Sequence, residues 1–243
     1  QEENDDTQYM HNAIQDDHPK LTPTTPSTTL LSTHPRWANA IIDPDTGASM
    51  EYRHLIQSDK HHATWTRYFA NELGRLAQGI RTRETGTNTI FFIQHKDIPM
   101  DRRTDVTSGR ICVDYRPQKE EQNRTRLTVG GNLIEFPGDV STPMADTTTA
   151  KLVINSTIST DKAKYMVGDI KNFYLGTPMT RYEYMRLPIA IIPDEIIKEY
   201  NLLPKVHNQH INIEIQRGMY GLPQAGIIAN QLLTERLAPH AVS

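Results

Sequence analysis

The sequence predicts an α+β fold, and three observations support that prediction. Large apolar residues recur at helical spacing over residues 62–79. Apolar and polar residues alternate over residues 111–115 and, more clearly, over residues 211–215, as they do in half-buried strands. After Pro223 the apolar residues return to helical spacing, and proline suits the first position of a helix. Helices and strands are therefore expected in the same chain.

Length and composition favour one globular domain without a membrane span. The chain has 243 residues, 37% of them hydrophobic, which is enough for one core. No apolar run approaches the roughly 20 residues that cross a bilayer. The single cysteine, Cys112, excludes an internal disulfide and a cysteine-rich zinc site, and so suits a reducing compartment. We therefore expect no membrane partner.

The charge is distributed unevenly along the chain. A net charge of -3 has the wrong sign for a protein whose whole surface attracts nucleic acid. Acidic residues crowd the first 17 positions, whereas basic residues crowd a later stretch. The basic residues are Arg102, Arg103, Arg110, Arg116, Lys119, Arg124 and Arg126. If nucleic acid binds, we expect it to bind this second stretch.

The first third of the chain divides into a tail and a leader. Residues 1–36 are acidic and then rich in Thr, Pro and Ser, with few large apolar residues, so burial does not offset the cost of ordering them. We predict a disordered tail or linker there. Residues 37–100 are predicted to hold the helix over 62–79, which Gly79 is placed to end, and a strand over 89–93.

A basic β-hairpin is predicted to follow the leader. Residues 111–115 and 127–129 have strand patterns, while residues 116–124 between them are too polar for a strand interior. Gly130 and Gly131 supply a turn after the second strand.

The second half of the chain is predicted to alternate between short helices and strands. The elements are a helix around 152–158, an apolar strand at 165–167 ending in Gly168 and Asp169, a strand at 184–187, a helix at 193–200, the strand at 211–215 and a helix from Pro223. In the last helix, the side chains expected to face inward are Ile227, Ile228, Leu232, Leu233 and Leu237.

Asp169 is the first candidate for chemistry. An aspartate at the end of a buried strand is held rigidly at the rim of a sheet, which is a good position for a ligand of a hard cation. For an isolated strand-end aspartate, capping of the following turn is the more common role. The residues around Asp169 favour the first interpretation.

Several stretches resemble the motifs of copia-type retrotransposon reverse transcriptases. Residues 169–175 (Asp-Ile-Lys-Asn-Phe-Tyr-Leu) are similar to motif A, and residues 220–225 (Tyr-Gly-Leu-Pro-Gln-Ala) are similar to motif B. Residues 182–188 resemble the strand between those motifs. Residues 116–121 and 124–131 resemble the fingers hairpin. The similarity covers roughly residues 37–239, and the motifs stand in the family's order.

The resemblance implies templated phosphoryl transfer with two Mg²⁺ ions. Asp169 would be the first of three metal-binding aspartates, and the backbone carbonyl of Ile170 an additional ligand. The other two aspartates of the family lie in a Tyr-x-Asp-Asp hairpin after motif B, which this chain lacks. Its Asp pairs, at residues 5–6 and 16–17, lie in the acidic tail. We therefore expect the chain alone to be inactive as a polymerase.

The resemblance also assigns three residues to the incoming nucleotide. Arg126 matches the fingers arginine that grips the triphosphate, against the alternative of a solvated surface arginine. Gln224 matches the glutamine that lies against the sugar, against the alternative of helix capping. Tyr174 matches the bulky side chain that blocks a ribose 2′-hydroxyl. Phe173 would point the other way if the segment is extended; alternatively Phe173 faces the site and Tyr174 packs in the core. Arg124 and Lys119 are ranked as ordinary basic-patch residues.

These assignments together predict a tail (1–36), a helix-strand leader (37–100), and a fingers hairpin with a partial palm (101–243). The implied function is RNA-directed DNA synthesis in the intact element, with primer-template and deoxynucleotides as partners and with the integrase and ribonuclease H segments of the same polyprotein. The family's setting is intracellular, in a cytoplasmic virus-like particle or the nucleus. Two alternatives stay open: a non-catalytic nucleic-acid-binding fragment, and a degenerate relic.

Overall fold

The computed structural model describes residues 41–43, 45–142, 145–168 and 170–240, and it has a mixed α+β fold. The predicted tail over residues 1–36 lies outside the described residues. The α-helices are α1 (Tyr52–Leu55), α2 (His62–Leu76), α3 (Thr147–Ser159), α4 (Asp194–Glu199) and α5 (Ala225–Leu237). The strands are β1 (Gly79–Ile80), β2 (Glu84–Thr85), β3 (Ile90–Ile93), β4 (Thr107–Tyr115), β5 (Asn123–Val129), β6 (Pro178–Pro188) and β7 (His210–Arg217).

Five strands form a curled sheet in the order β3-β7-β6-β4-β5, and β1 and β2 form a separate pair. Strand β7 is antiparallel to both of its neighbours, β3 and β6. A short parallel contact, in which Thr107 pairs with Met185 and Ser108 with Arg186, joins β6 to β4. Strands β4 and β5 pair from Gly109 and Val129 to Tyr115 and Asn123. The predicted hairpin is therefore confirmed as a β-structure.

Helix α2 supplies much of the core and also covers an edge of the sheet. Its predicted apolar stripe is confirmed, since Trp65, Phe69 and Leu73 are all buried. The helix ends at Leu76, before the predicted Gly79, because Ala77 already leaves the helical region and Gly79 turns with φ +101° into β1. Strand β5 is the last in the sheet order, and α2 lies against it.

A buried carboxylate on α2 accepts a hydrogen bond from the outer edge of β5. The backbone N–H of Leu127 donates to Oε1 of Glu72 at 3.2 Å, and Arg75 donates to Oε2 of the same carboxylate. Arg75 also donates to Oδ1 of Asn172 at 3.3 Å. An unpaired strand edge is a template for unwanted pairing, so a side chain that bonds to it stabilises the edge and shields it.

The central strands bury one face fully. Ile211, Ile213 and Ile215 of β7 are fully buried, as are Met185 and Leu187 of β6, which confirms the predicted strands. On the other face of β7, Glu214 and Gln216 are partly buried, as predicted for a half-buried strand, and only Asn212 is buried.

The predicted strand at residues 165–167 is wrong. Residues 163–168 have no regular structure, and the side chains of the segment face solvent, with Met166 90% exposed. Strand hydrogen bonds are made between segments, and no strand among the described residues pairs with this one. Apolar, β-branched composition therefore does not by itself create a strand here.

The last helix forms as predicted but packs differently. Its buried residues are Ala225 and Ala229, one turn apart, and Leu237 is 56% exposed. Small side chains allow the helix backbone to approach the core closely, which moves the larger apolar residues to the flanks.

The predicted helix at 152–158 is also confirmed, as α3. It is capped by a hydrogen bond from Thr149 N to Asp146 Oδ1 at 2.6 Å.

Two histidines stack between the end of β3 and the loop before β7. The rings of His95 and His207 are parallel, with centroids 4.0 Å apart. Burial, and then the charges of His207 and Arg103, lower the pKa of His95. A charged imidazole is therefore disfavoured at this position in the folded protein.

We expect this pair to make the fold sensitive to acid. Because the folded-state pKa of His95 lies below the unfolded value of about 6.5, the unfolded state binds the proton first and stability falls as the pH drops below that value. The urea midpoint should fall less between about pH 7.5 and about pH 5.5 in His95→Gln than in the wild type. His61→Gln, outside the stacked pair, is the control. An equal pH dependence in His95→Gln and the wild type would contradict the prediction.

Candidate functional site

Strand β5 meets the turn that precedes α5. The guanidinium carbon of Arg126 lies 4.3 Å from the centroid of the Tyr220 ring, in cation–π contact. The backbone N–H of Val129 donates to the carbonyl of Tyr220 at 2.9 Å. Gly221 follows with φ +94° and packs directly on the backbone of Val129. The hairpin and the turn, which resemble the fingers and motif B, are therefore in direct contact.

A second aromatic segment joins the same place. The rings of Tyr174 and Tyr220 meet edge to face with centroids 6.0 Å apart, and Phe173 lies 5.8 Å from Tyr174. Gly218 packs against the Tyr174 carbonyl so closely that a Cβ there would come within 2.6 Å of its oxygen. The stretch resembling motif A thus contributes Tyr174 to the cluster of Arg126 and Tyr220, which we call the Arg126 surface.

The backbone around Tyr174 is not extended, which corrects one prediction. Asn172 has φ +56°, Phe173 is in the right-handed helical region, and Tyr174–Gly176 forms a 3₁₀ turn. Alternation of side chains holds only for an extended chain, so it does not place Phe173 and Tyr174 on opposite sides. Both rings are half-buried and lie near each other. The assignment of Tyr174 to the sugar stays a prediction.

Three arginines of the hairpin lie close together, and none of them forms an ion pair with a described carboxylate. Arg116, Arg124 and Arg126 take part in none of the ion pairs among the described residues. Burial, and then the charges of Arg126 and Arg116, lower the pKa of Arg124. The Nε atoms of Arg116 and Arg126 are buried without a hydrogen-bond partner. Such a cluster is suited to an anion with several acceptor oxygens.

Gln224 lies at the start of α5 and is completely buried. Its side chain does not cap the helix, so the capping alternative is wrong. Its Nε2 donates to Oε1 of Glu183 at 3.1 Å, while its own Oε1 has no partner. A role against a nucleotide sugar stays a prediction for this residue.

Glu183 is the centre of a buried ionic network that the sequence analysis missed. Its carboxylate is 0% exposed and accepts from Nη2 of Arg102 at 2.6 Å, with Nη1 of Arg181 3.6 Å away. Arg102 also bonds to Asp105 at 2.7 Å. Burial would lower the pKa of Arg102, but the bond to Asp105 and the charges of Glu183 and Asp105 together raise it. The network holds Gln224 through Glu183.

The proposed metal ligands are only partly described. Asp169 lies outside the described residues, and Ile170 is in an exposed segment without regular structure. Within residues 41–240, apart from the gaps, no three His, Cys, Asp or Glu side chains are grouped so that they fit a metal ion. The binding of Mg²⁺ by Asp169 and Ile170 stays a prediction.

The remaining basic residue of the prediction, Lys119, lies in the exposed turn of the hairpin, with its N–H donating to the carbonyl of Arg116. It contributes positive charge at the surface. No helix in the described part of the chain is both long and apolar enough to span a bilayer.

Comparisons with models of protein families, with curated proteins and with solved structures gave no match. The resemblance to reverse transcriptases therefore depends on the sequence motifs alone.

Proposed function

We propose that this chain is part of an RNA-directed DNA polymerase of the copia retrotransposon type, and that its Arg126 surface binds nucleotide or primer-template. One observation supports this most strongly. Two stretches that resemble the fingers hairpin and motif B are more than 90 positions apart in the sequence, yet Arg126 and Tyr220 are in direct contact. A polymerase needs these two parts together, because both act on the same nucleotide.

The contact also has a chemical use. Stacking on the Tyr220 ring fixes the plane of the Arg126 guanidinium, and a fixed fork of donors matches phosphate oxygens in a bidentate manner. Arg124 and Arg116 add positive charge beside it. For the residues described, the proposal is limited to binding and orientation.

The binding proposal is tested with a fluorescent RNA–DNA primer-template by anisotropy. Arg126→Gln is expected to weaken binding roughly fivefold to tenfold and to lower the slope of log affinity against log salt by about one. Arg110→Gln is the matched control, since Arg110 is an exposed arginine of the same hairpin that lies outside the cluster. Equal losses in affinity and slope for the two variants would contradict a specific role for Arg126.

A non-catalytic nucleic-acid-binding role is the second candidate. It is favoured by the cluster of Arg116, Arg124 and Arg126, which can bind phosphate without any chemical step. The chain alone is expected to be inactive under both candidates, so the two are separated with the chain extended through a Tyr-x-Asp-Asp hairpin and incubated with primer-template, deoxynucleotides and Mg²⁺. Template-dependent incorporation that is lost in Asp169→Ala supports the polymerase, and binding without incorporation supports the second candidate.

A further inference from the structure

A polar groove runs between α2 and the β4–β5 hairpin. Two cavities of about 330 and about 560 Å³ share Tyr68, Asn71 and Glu121 and so form one continuous groove. One end reaches Lys171 and Asn172, next to the segment that carries Tyr174. We call it the α2–hairpin groove. Neither Arg126 nor Tyr220 lines it.

The groove has an excess of positive charge that is not neutralised within it. Four cations line it and take part in none of the ion pairs among the described residues: Arg67, Arg116, Arg124 and Lys171. Two carboxylates, Glu84 and Glu121, oppose these four cations, and the pKa of Glu84 is raised by burial and then by Glu121. The other two charged residues of the groove, Arg75 and Glu72, form an ion pair with each other.

Two buried donors face the groove without an acceptor. Thr125 is only 5% exposed, lines the groove, and its hydroxyl has no hydrogen-bond partner. The Nε atom of Arg116 is likewise buried without a hydrogen-bond partner, and an arginine Nε can only donate a hydrogen bond. Buried donors without acceptors are rare in folded proteins, and a bound anion is one partner that satisfies them. Although carboxylates also line the groove, these two donors lack an acceptor.

Phosphate supplies negative charge to balance the excess of cations and several acceptor oxygens for the two unpaired donors. We propose that the α2–hairpin groove is a second phosphate-binding site, which takes a phosphate of single-stranded nucleic acid or of a free nucleotide. The ring of Tyr68 is half-buried in the groove, in a place where a base can stack on it. The inference rests on the proposed nucleic-acid function for its class of ligand, but not on the Arg126 surface.

Two probes distinguish the sources of the phosphate. One is a labelled oligothymidylate of about 12 nucleotides, followed by anisotropy, and the other is dTTP, followed by titration calorimetry. The complete chain is compared with Arg116→Gln and Thr125→Val. Arg110→Gln and Thr128→Val make the same chemical changes on the same hairpin outside the groove. Thermal melting of each variant verifies that it is folded.

We expect Arg116→Gln to weaken binding of one probe roughly fivefold or more, with a salt slope lower by about one, and Thr125→Val to weaken it with the slope unchanged. The probe that responds identifies the source. If both groove variants bind both probes as their controls do, the inference is overturned. Arg126→Gln is measured in parallel to separate the two proposals. If only Arg126→Gln loses affinity, the proposed function of the Arg126 surface is supported and the groove is not a binding site. If only the groove variants lose affinity, the groove is supported and the Arg126 surface is not.

Discussion

Gly221→Ala is expected to destabilise the fold by roughly 2–5 kcal/mol, since an alanine with positive φ costs about 1–2 kcal/mol and overpacking about 1–3 kcal/mol more. The φ of Gly221 is +94°, and a Cβ there would overlap the carbonyl oxygen of Val129. Relief of that overlap requires the turn to move away from β5. Tyr220 would move with it, so Arg126 would lose the ring on which it stacks.

Chemical denaturation followed by circular dichroism measures the first effect, and primer-template anisotropy on the folded variant measures the second. Gly176→Ala is the matched control, because Gly176 has no positive φ and its Cβ would meet open space. If the free energies of unfolding of Gly221→Ala and Gly176→Ala agree within about 0.5 kcal/mol, the turn does not pack closely on β5.

Glu183→Leu is the second large expected effect. Leucine is similar in size but cannot bond to Arg102 or Gln224, so a buried arginine and a buried amide lose their acceptor. Removing one partner of a buried ion pair costs about 3–5 kcal/mol. The remaining bond between Arg102 and Asp105 places the expected loss near the lower end of that range.

The double variant Glu183→Leu/Arg102→Met gives this prediction its test. Replacement of both partners by apolar groups is often nearly neutral, so the double variant should be more stable than Glu183→Leu alone. Glu214→Leu makes the same change on the neighbouring strand, at a carboxylate that accepts only hydrogen bonds from Tyr184 and Gln216. If the double variant is as unstable as the sum of its single variants, the two side chains do not act as a pair.

Local patterns predicted most of the elements. The strands β4, β5, β6 and β7 and the helices α2 and α4 all carry apolar residues at the correct period, and that period does not depend on distant contacts. The segment at 165–167 failed because a strand needs a partner that its own composition does not specify. The inward face of α5 was predicted only in part. Ile228 packs against the core as expected, but Leu237 is exposed, and the closest packing is made by Ala225 and Ala229, because it depends on the shape of the opposing surface.

The candidate site was predicted less completely than the fold. Arg126 was identified, but its partner Tyr220 was not, since a contact between distant segments has no local signal. Two buried carboxylates did have a local signal in the sequence. Glu183 is in phase with the buried Met185 and Leu187 along β6, and Glu72 lies seven residues after Trp65 on the buried stripe of α2. A charged residue in phase with a core stripe signals a buried ionic or edge contact.

The bonds of Glu72 have a mechanical consequence. From the backbone of Leu127 through Glu72 and Arg75 to Asn172, a continuous chain of hydrogen bonds crosslinks the hairpin edge to the turn that carries Tyr174. A hinge motion of the hairpin toward a ligand therefore has to carry that turn with it or break these bonds. Through these bonds, α2 couples the position of the hairpin to that of the turn.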